Sequence, residues 1–208
     1  MLDHRTTIEQ FLAATAARQP TPGGGAVAAL AGALAAALAE MVLNYSVGKG
    51  DLAAFEPELK TALAEMSRAR QMLIEFMAED QAAYEALTAA KKLPPADPKR
   101  QEAIKIALHV SLNVPRLVAY TALAILALCD RIVSKVNKYL LSDLAIAADL
   151  ATATVRCAIY NVKVNISEIP DPHERARLED SNQKTLIRAL ELIQKISPEI
   201  WNRLGTDG

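Results

Sequence analysis

An acidic residue shares a helical face with two aromatic residues near the middle of the chain. Asp80 follows Phe76 by four positions and precedes Tyr84 by four, so a helix places all three side chains on one stripe. A carboxyl group beside apolar walls can have a raised pKa and can exchange a proton as a general acid or base. The simpler interpretation from composition alone is a solvated or ion-paired aspartate.

A glycine-rich segment leads into a long apolar run. Residues 20–25 read Pro-Thr-Pro-Gly-Gly-Gly and precede a stretch made mostly of alanine. The start of a helix offers unpaired N–H groups at its positive end, which suits an anionic group, and glycines let a ligand approach the backbone closely. No Gly-Lys-Ser/Thr follows, so this is not a phosphate-binding P-loop. The alternative is a flexible connector.

Two asparagines lie four residues apart in a mostly apolar segment. Asn161 and Asn165 therefore point the same way from a helix, and their amides offer donors and acceptors suited to the edge of a heterocycle. Mutual hydrogen bonding at the helix end is the alternative interpretation.

Nothing in the sequence predicts a metal site. The histidines share no spacing with other metal ligands; they are His4, His109 and His173. Two cysteines are too few for a zinc site, and Cys129 and Cys157 both fall in apolar helical segments. We expect both to be buried free thiols in a reducing compartment.

The elements that must position these residues are helices. The pattern predicts helices over 7–18, 25–46, 56–92, 97–113, 143–166 and from 171 to about 204. Pro115 is expected to kink or restart the fourth helix, which then continues to Val136. Ser142 is the expected N-cap of the fifth helix, and Asp171 opens the last with a capping-box-like pattern. Long helices with short connections favour an antiparallel bundle of six or seven helices in one domain.

Composition supports the same fold class. The chain has 208 residues, 39 of them alanine and only 4% aromatic, which favours an all-α protein with closely spaced helices. The apolar content of 51% excludes a disordered chain, and the net charge of −1 argues against a nucleic-acid partner. The apolar stretches 26–42 and 117–128 are too short or too poor in large residues for a membrane span. The first five residues lack a signal core, so we expect a cytoplasmic protein.

Small residues recur at three- and four-residue steps along the second helix. They are Gly25, Ala29, Gly32 and Ala36. Such a stripe lets another helix pack against the backbone, either within the subunit or across a subunit interface.

Together these segments resemble the cyclodeaminase/cyclohydrolase family of folate enzymes. The resemblance extends over about residues 6–200. It rests on six collinear elements: Pro-Thr-Pro-Gly-Gly-Gly at 20–25, Asp-x-x-Ala-Tyr at 80–84, Lys-Leu-Pro at 92–94, Val-Pro at 114–115, Ser-Asp at 142–143 and Asn-Val-x-x-Asn at 161–165. It implies an all-α homodimer that binds a tetrahydrofolate derivative near the glycine loop and needs no metal or redox cofactor.

The resemblance also implies roles for single residues. Asp80 falls at the family's acidic position and is the expected catalytic residue. The expected substrate-binding residues are Gly23, Gly24, Gly25, Ser46, Lys49, Tyr84, Ser142, Asp143, Asn161 and Asn165. The implied activity is formimidoyltetrahydrofolate cyclodeaminase or methenyltetrahydrofolate cyclohydrolase.

Three positions depart from the family pattern: Pro95 replaces a lysine, Arg116 replaces a leucine, and Val136 replaces a glycine. The lost lysine could have contacted a substrate carboxylate, and the valine could narrow the cleft. These departures motivate an alternative in which the chain is a folate-binding or helical interaction protein without catalysis.

Overall fold

The computed structural model describes residues 6–205, which form six α-helices and no strand. The helices are α1 (Ile8–Ala16), α2 (Gly24–Asn44), α3 (Glu56–Lys92), α4 (Arg100–Ile132), α5 (Leu141–Ile166) and α6 (Pro172–Leu204). Short 3₁₀ turns at Gly50–Phe55 and Lys138–Leu140 precede α3 and α5. The prediction of an all-α protein is confirmed. His4 and the other residues of the segment 1–5 lie outside the described residues.

Helices α2 to α5 form a four-helix bundle in which each helix packs beside the next and α5 closes the ring against α2. Short connections make successive helices antiparallel, so α3 and α5 run in one direction and α2 and α4 in the other. Helix α6 packs across α4 and α5. Helix α2 packs against both α3 and α5, which lie on either side of it.

The small residues of α2 allow this close packing. A Cβ at Gly32 would lie 3.0 Å from the Thr154 side chain and 3.1 Å from that of Leu73, so α2 is wedged between α5 and α3. All four members of the small-residue stripe are buried within the subunit. Internal packing is therefore the correct interpretation of the stripe, and its use as a subunit interface is wrong.

Helix α4 is one continuous helix, although Pro115 was expected to kink or restart it. Proline has no N–H and therefore leaves the carbonyl four residues earlier, that of Ser111, without its helical donor. The side-chain amide of Asn165 on α5 donates to this carbonyl at 3.1 Å. A neighbouring helix thus supplies the bond that Pro115 removes.

The predicted helix ends are partly wrong. Ser142 is not an N-cap, because α5 begins one residue before it at Leu141. Asp97 accepts from the N–H of Lys99 in a turn, and α4 begins only at Arg100. Asp171 is confirmed as the N-cap of α6, where it accepts from the N–H of His173 at 2.9 Å.

Helices α2 and α4 are long and apolar enough to cross a membrane by length and composition alone. Length therefore does not exclude a span, contrary to the sequence argument. However, 56% and 61% of their most apolar windows are buried inside the bundle, as in core helices of soluble proteins, so the evidence for a span is weak.

The two cysteines differ. Cys129 is fully buried, and this burial raises the pKa of its thiol to about 12. Cys157 is exposed on α5, so its predicted burial is wrong.

Candidate functional site

A cleft opens where α2 begins. From Gly24 to its C-terminus, α2 lies between α3 and α5. The C-terminal parts of α3 and α5 extend past the start of α2 and leave a gap there. The cleft has a volume of about 460 Å³, within the usual range for small-molecule sites. Its walls come from the loop before α2, the C-terminal parts of α3 and α5, and the middle of α4.

Asp80 lies at the floor of this cleft against the start of α2. The N-cap residue Gly23 has no side chain to accept a helical N–H, and the carboxylate of Asp80 on α3 accepts from the N–H of Ala26 instead. A Cβ at Gly25 would lie 2.0 Å from Asp80 Oδ1, closer than real contacts allow. Glycine at position 25 is therefore required by the approach of Asp80.

The environment of Asp80 raises the pKa of its carboxyl group. Burial in the cleft is the larger cause, because it penalises the charged form, and the bond from Ala26 partly opposes it. A carboxyl group with a raised pKa, held in a cleft open to a ligand, is suited to give or take a proton near neutral pH.

The two asparagines of α5 also reach the cleft, and they do not bond to each other. Asn161 donates to the carbonyl of Cys157 at 3.0 Å, and its Oδ1 would lie 3.4 Å from a Cβ at Gly24. Asn165 donates to the carbonyl of Ser111, so its N–H is engaged in supporting α4. The amide oxygen of Asn161 is thus positioned beside the glycine loop.

Apolar and aromatic side chains line the space above Asp80. Tyr84 is 45% exposed and forms part of the wall. Phe76 was expected to flank Asp80 from the other side. It lies one helical turn before Asp80, is buried in the core and does not line the cleft. The remaining apolar wall consists of Pro20, Ala83, Leu87, Pro115 and Val164.

An ion pair crosses the mouth of the cleft. Lys91 Nζ on α3 lies 2.6 Å from Glu168 Oε2, just past the end of α5, and both residues line the cleft. This pair was not predicted from the sequence. Helical spacing could have indicated Lys91, because it lies eleven residues, or about three turns, after Asp80 and therefore on the same face of the helix.

Four of the predicted site residues lie at the opposite end of the bundle. Ser46 and Lys49 follow the C-terminus of α2, and Ser142 and Asp143 lie in the first turn of α5. Helix α2 has 21 residues and is therefore about 30 Å long. Within one subunit these four residues do not come together with Asp80.

Ser46 and Lys49 have evident contacts at that end. Ser46 is fully buried, donates to the carbonyl of Val42 at 2.7 Å and accepts from the N–H of Asn137 at 3.0 Å. The ammonium of Lys49 lies 6.0 Å from the centre of the Tyr139 ring.

The three departures from the family pattern lie away from the cleft walls. Pro95 is exposed between α3 and α4. Arg116 donates to Asn113 Oδ1 and the Tyr120 hydroxyl. Val136 is buried at the opposite end of the bundle, so the expectation that it narrows the cleft is wrong.

Other features offer less chemistry. A groove of about 690 Å³ runs along the outside of α3 and α4, but Glu79 is the one charged residue among its lining residues in the described chain. Within residues 6–205, no three His, Cys, Asp or Glu side chains form a group that could hold a metal ion.

The chain as a whole is similar to known enzymes that act on folates. The sequence profile described as "Formiminotransferase-cyclodeaminase" matches residues 7–184. A methenyltetrahydrofolate cyclohydrolase of Methylorubrum extorquens is 36% identical over 79% of this chain and 81% of its own. The formimidoyltransferase-cyclodeaminase of Gallus gallus is 29% identical over 84% of this chain, which spans about a third (33%) of that longer protein.

A solved structure has the same fold. The formiminotetrahydrofolate cyclodeaminase of Thermotoga maritima superposes with a TM-score of 0.88, with 29% identity over 95% of this chain and 97% of that one.

Proposed function

Because the chain belongs to the formiminotransferase-cyclodeaminase family, and is an enzyme of the cyclodeaminase/cyclohydrolase type, we propose that it hydrolyses 5,10-methenyltetrahydrofolate with Asp80 as the proton-transfer group. The observation that carries the proposal is the position of Asp80 at the floor of an open cleft, held by the first turn of α2. The similarity to a cyclohydrolase over most of both chains supports this reaction as the first candidate.

In cyclohydrolysis, water attacks the methenyl carbon, which carries the positive charge shared between N5 and N10. The carboxylate of Asp80 accepts a proton from the attacking water as the new C–O bond forms. The bond from this carbon to N5 then breaks as Asp80 returns its proton to N5, and the hydroxyl proton is lost to solvent as the formyl C=O forms. The product is 10-formyltetrahydrofolate plus that one proton. A base at this point lowers the barrier because water alone is a weak nucleophile.

Cyclodeamination of 5-formiminotetrahydrofolate is the second candidate, favoured by the likeness to the Thermotoga maritima structure. There N10 attacks the formimino carbon, its proton passes to the imino nitrogen, and a tetrahedral centre that carries an NH2 group forms. Protonated Asp80 gives its proton to the departing nitrogen, ammonia leaves, and 5,10-methenyltetrahydrofolate forms. The raised pKa of Asp80 suits this step, because the acid form stays populated at higher pH.

The cleft supports binding of a flat heterocycle. Tyr84 and Pro115 offer surfaces against which a pterin ring can pack, and the Asn161 amide oxygen can accept from its exocyclic amine. Residues 23–25 bring the backbone close to the ring. Both reactions proceed by proton transfer, so we expect no cofactor or metal beyond the folate itself.

Purified protein assayed with both substrates tests the proposal. The methenyl chromophore disappears in cyclohydrolysis and appears in cyclodeamination, so the direction of the change in its absorbance distinguishes the two reactions. Loss of the chromophore at a rate above that of buffer supports the first candidate, and its appearance from 5-formiminotetrahydrofolate supports the second. Binding of tetrahydrofolate without turnover of either would instead support a non-catalytic folate-binding protein.

We further propose that the enzyme is a cytoplasmic homodimer without a nucleic-acid or membrane partner. The outward face of α2 supports an interface: Val27, Leu34 and Tyr45 are exposed there, and the one charged residue of α2, Glu40, is paired with Arg70 at 2.6 Å. An uncharged face can meet its own copy across a two-fold axis without burying an unpaired charge. Light scattering should give a mass near twice 22.4 kDa, and a monomer at micromolar concentration would contradict it.

A further inference from the structure

The ion pair at the mouth of the cleft points to how the substrate is selected. We propose that Lys91 binds a carboxylate of the glutamate tail of the folate, and that Glu168 holds Lys91 in place until the substrate displaces it. This inference rests on the proposed function, and it assigns Lys91 as a specificity-determining residue.

The position of Lys91 matches the layout of a folate. Asp80 and Lys91 lie on the same face of α3, separated by eleven residues and therefore about 16 Å along the helix axis. A reduced folate carries its reactive carbon at the pterin end and its carboxylates at the far end of an extended aminobenzoyl group. With the reactive carbon at Asp80, the aminobenzoyl group lies along Tyr84, Leu87 and Thr88 and reaches Lys91.

Lys91 is the cleft residue whose charge is suited to bind an anion. Among the residues that line the cleft in the described chain, Lys91 carries the one positive charge, whereas Asp80 and Glu168 are acidic. The end of α3 that carries Lys91 is held by Arg100, whose guanidinium donates to the carbonyls of Leu93 and Lys91. The backbone of residue 91 is therefore held at the mouth, within side-chain reach of Glu168.

The ion pair itself is suited to exchange. The side chains of Lys91 and Glu168 are 43% and 39% exposed, and pairs with this exposure contribute little to stability because water and salt screen them. When the substrate binds, its carboxylate takes the place of the Glu168 carboxylate as the partner of Lys91. Glu168 must then turn outward, since it would repel the incoming tail.

The experiment compares two substrates that differ only in the tail: 5,10-methenyltetrahydrofolate and 5,10-methenyltetrahydropteroyl amide, in which an uncharged carboxamide replaces the glutamate and its carboxylates. The wild-type enzyme should show a KM about threefold lower for the glutamate-bearing substrate, since a solvent-exposed ion pair is worth roughly that factor. Lys91→Met, which keeps the stem and removes the charge, should bring the two KM values together. Glu168→Gln should lower KM for the glutamate-bearing substrate alone.

Lys92→Met is the matched control, because Lys92 is exposed, is the neighbouring residue and is not part of the cleft. It should keep the threefold difference between the two substrates. Equal KM values in the wild type, or a threefold difference that survives Lys91→Met, would overturn the assignment.

Failure of the proposed function has a different signature, namely no turnover of either substrate by the wild type. In that case calorimetric binding of tetrahydrofolate and of tetrahydropteroyl amide, which lacks the tail carboxylates, to the same variants tests Lys91 directly. Tail-dependent affinity that Lys91→Met removes would still support the assignment. Binding that ignores the tail, or no binding of either compound, would overturn it.

Discussion

The two ends of the four-helix bundle contain similar polar residues and use them differently. At the end where α2 starts, Asp80 and Asn161 surround an open cleft. At the other end, the Ser46 hydroxyl bonds to Val42 and Asn137, and Arg203 donates to the carbonyls of Val133 and Val136. At this second end, the polar side chains form hydrogen bonds with backbone groups of the protein itself.

The difference arises from where the helices end. Helix α2 starts short of the ends of α3 and α5, so polar side chains on those helices face a gap that no helix fills. At the opposite end the connecting turns cover the bundle. A polar side chain with an empty volume in front of it is available for a ligand, whereas one with two backbone partners is structural.

Replacing Asp80 by asparagine tests the cleft end most strongly. Asp80→Asn keeps the shape and can still accept from Ala26, but it cannot exchange a proton. We expect turnover to fall about 10²–10⁴-fold, the usual contribution of general acid–base catalysis, with little change in folding. Steady-state kinetics with the methenyl chromophore measures the effect. A variant with wild-type rates would remove Asp80 from the mechanism.

Gly25→Ala should have the next largest effect. The new Cβ would lie 2.0 Å from Asp80 Oδ1, so the carboxylate must move while the helix remains intact. A displacement of about an ångström is expected to lower kcat by roughly 10²-fold. Gly50→Ala is the control, because no atom lies within 4 Å of its added Cβ. Equal losses in both variants would mean that the glycines matter for folding rather than for the position of Asp80.

Much of this arrangement was predictable from the sequence. Periodicity, prolines and glycines indicate the helices, and residues 20–25, 80–84 and 161–165 indicate the cleft. The division of the predicted site between two ends was not predictable, since a linear motif does not tell which end of a bundle it occupies. The link between Pro115 and Asn165 was also hidden, because it joins two helices whose pairing is a tertiary property.

That link gives a third prediction. Asn165→Ala removes the donor to the Ser111 carbonyl, which Pro115 leaves without a helical partner. We expect the free energy of unfolding to fall by about 1–3 kcal/mol, the cost of an unsatisfied buried polar group. In a Pro115→Ala background residue 115 supplies its own N–H, so the same substitution should cost less. Urea unfolding of the four proteins measures this coupling, and additive effects would contradict it.

Ser46→Ala tests the closed end of the bundle. It removes the acceptor of the Asn137 N–H in a fully buried position, so stability should fall by about 1–3 kcal/mol, while kcat and KM stay unchanged. Ser134→Ala, at an exposed position, controls for the substitution itself. A raised KM in Ser46→Ala with unaltered stability would show that this end belongs to the substrate site, as the family resemblance implies.

The smallest expected effect is on the pH dependence of stability at the cleft end. Burial raises the pKa of Asp80 in the folded protein above its ordinary value of 3.8. The folded state therefore binds this proton more tightly than the unfolded state, and the stability that results is lost as the pH rises through the raised pKa. Asparagine does not titrate, so Asp80→Asn should unfold at a higher temperature than the wild type at pH 7, and the difference should shrink as the pH falls toward 4. Thermal unfolding across this range, with Asp149→Asn at an exposed position of α5 as control, measures the difference. A difference that grows toward acid would show that the bond from Ala26 outweighs the burial of the carboxyl group.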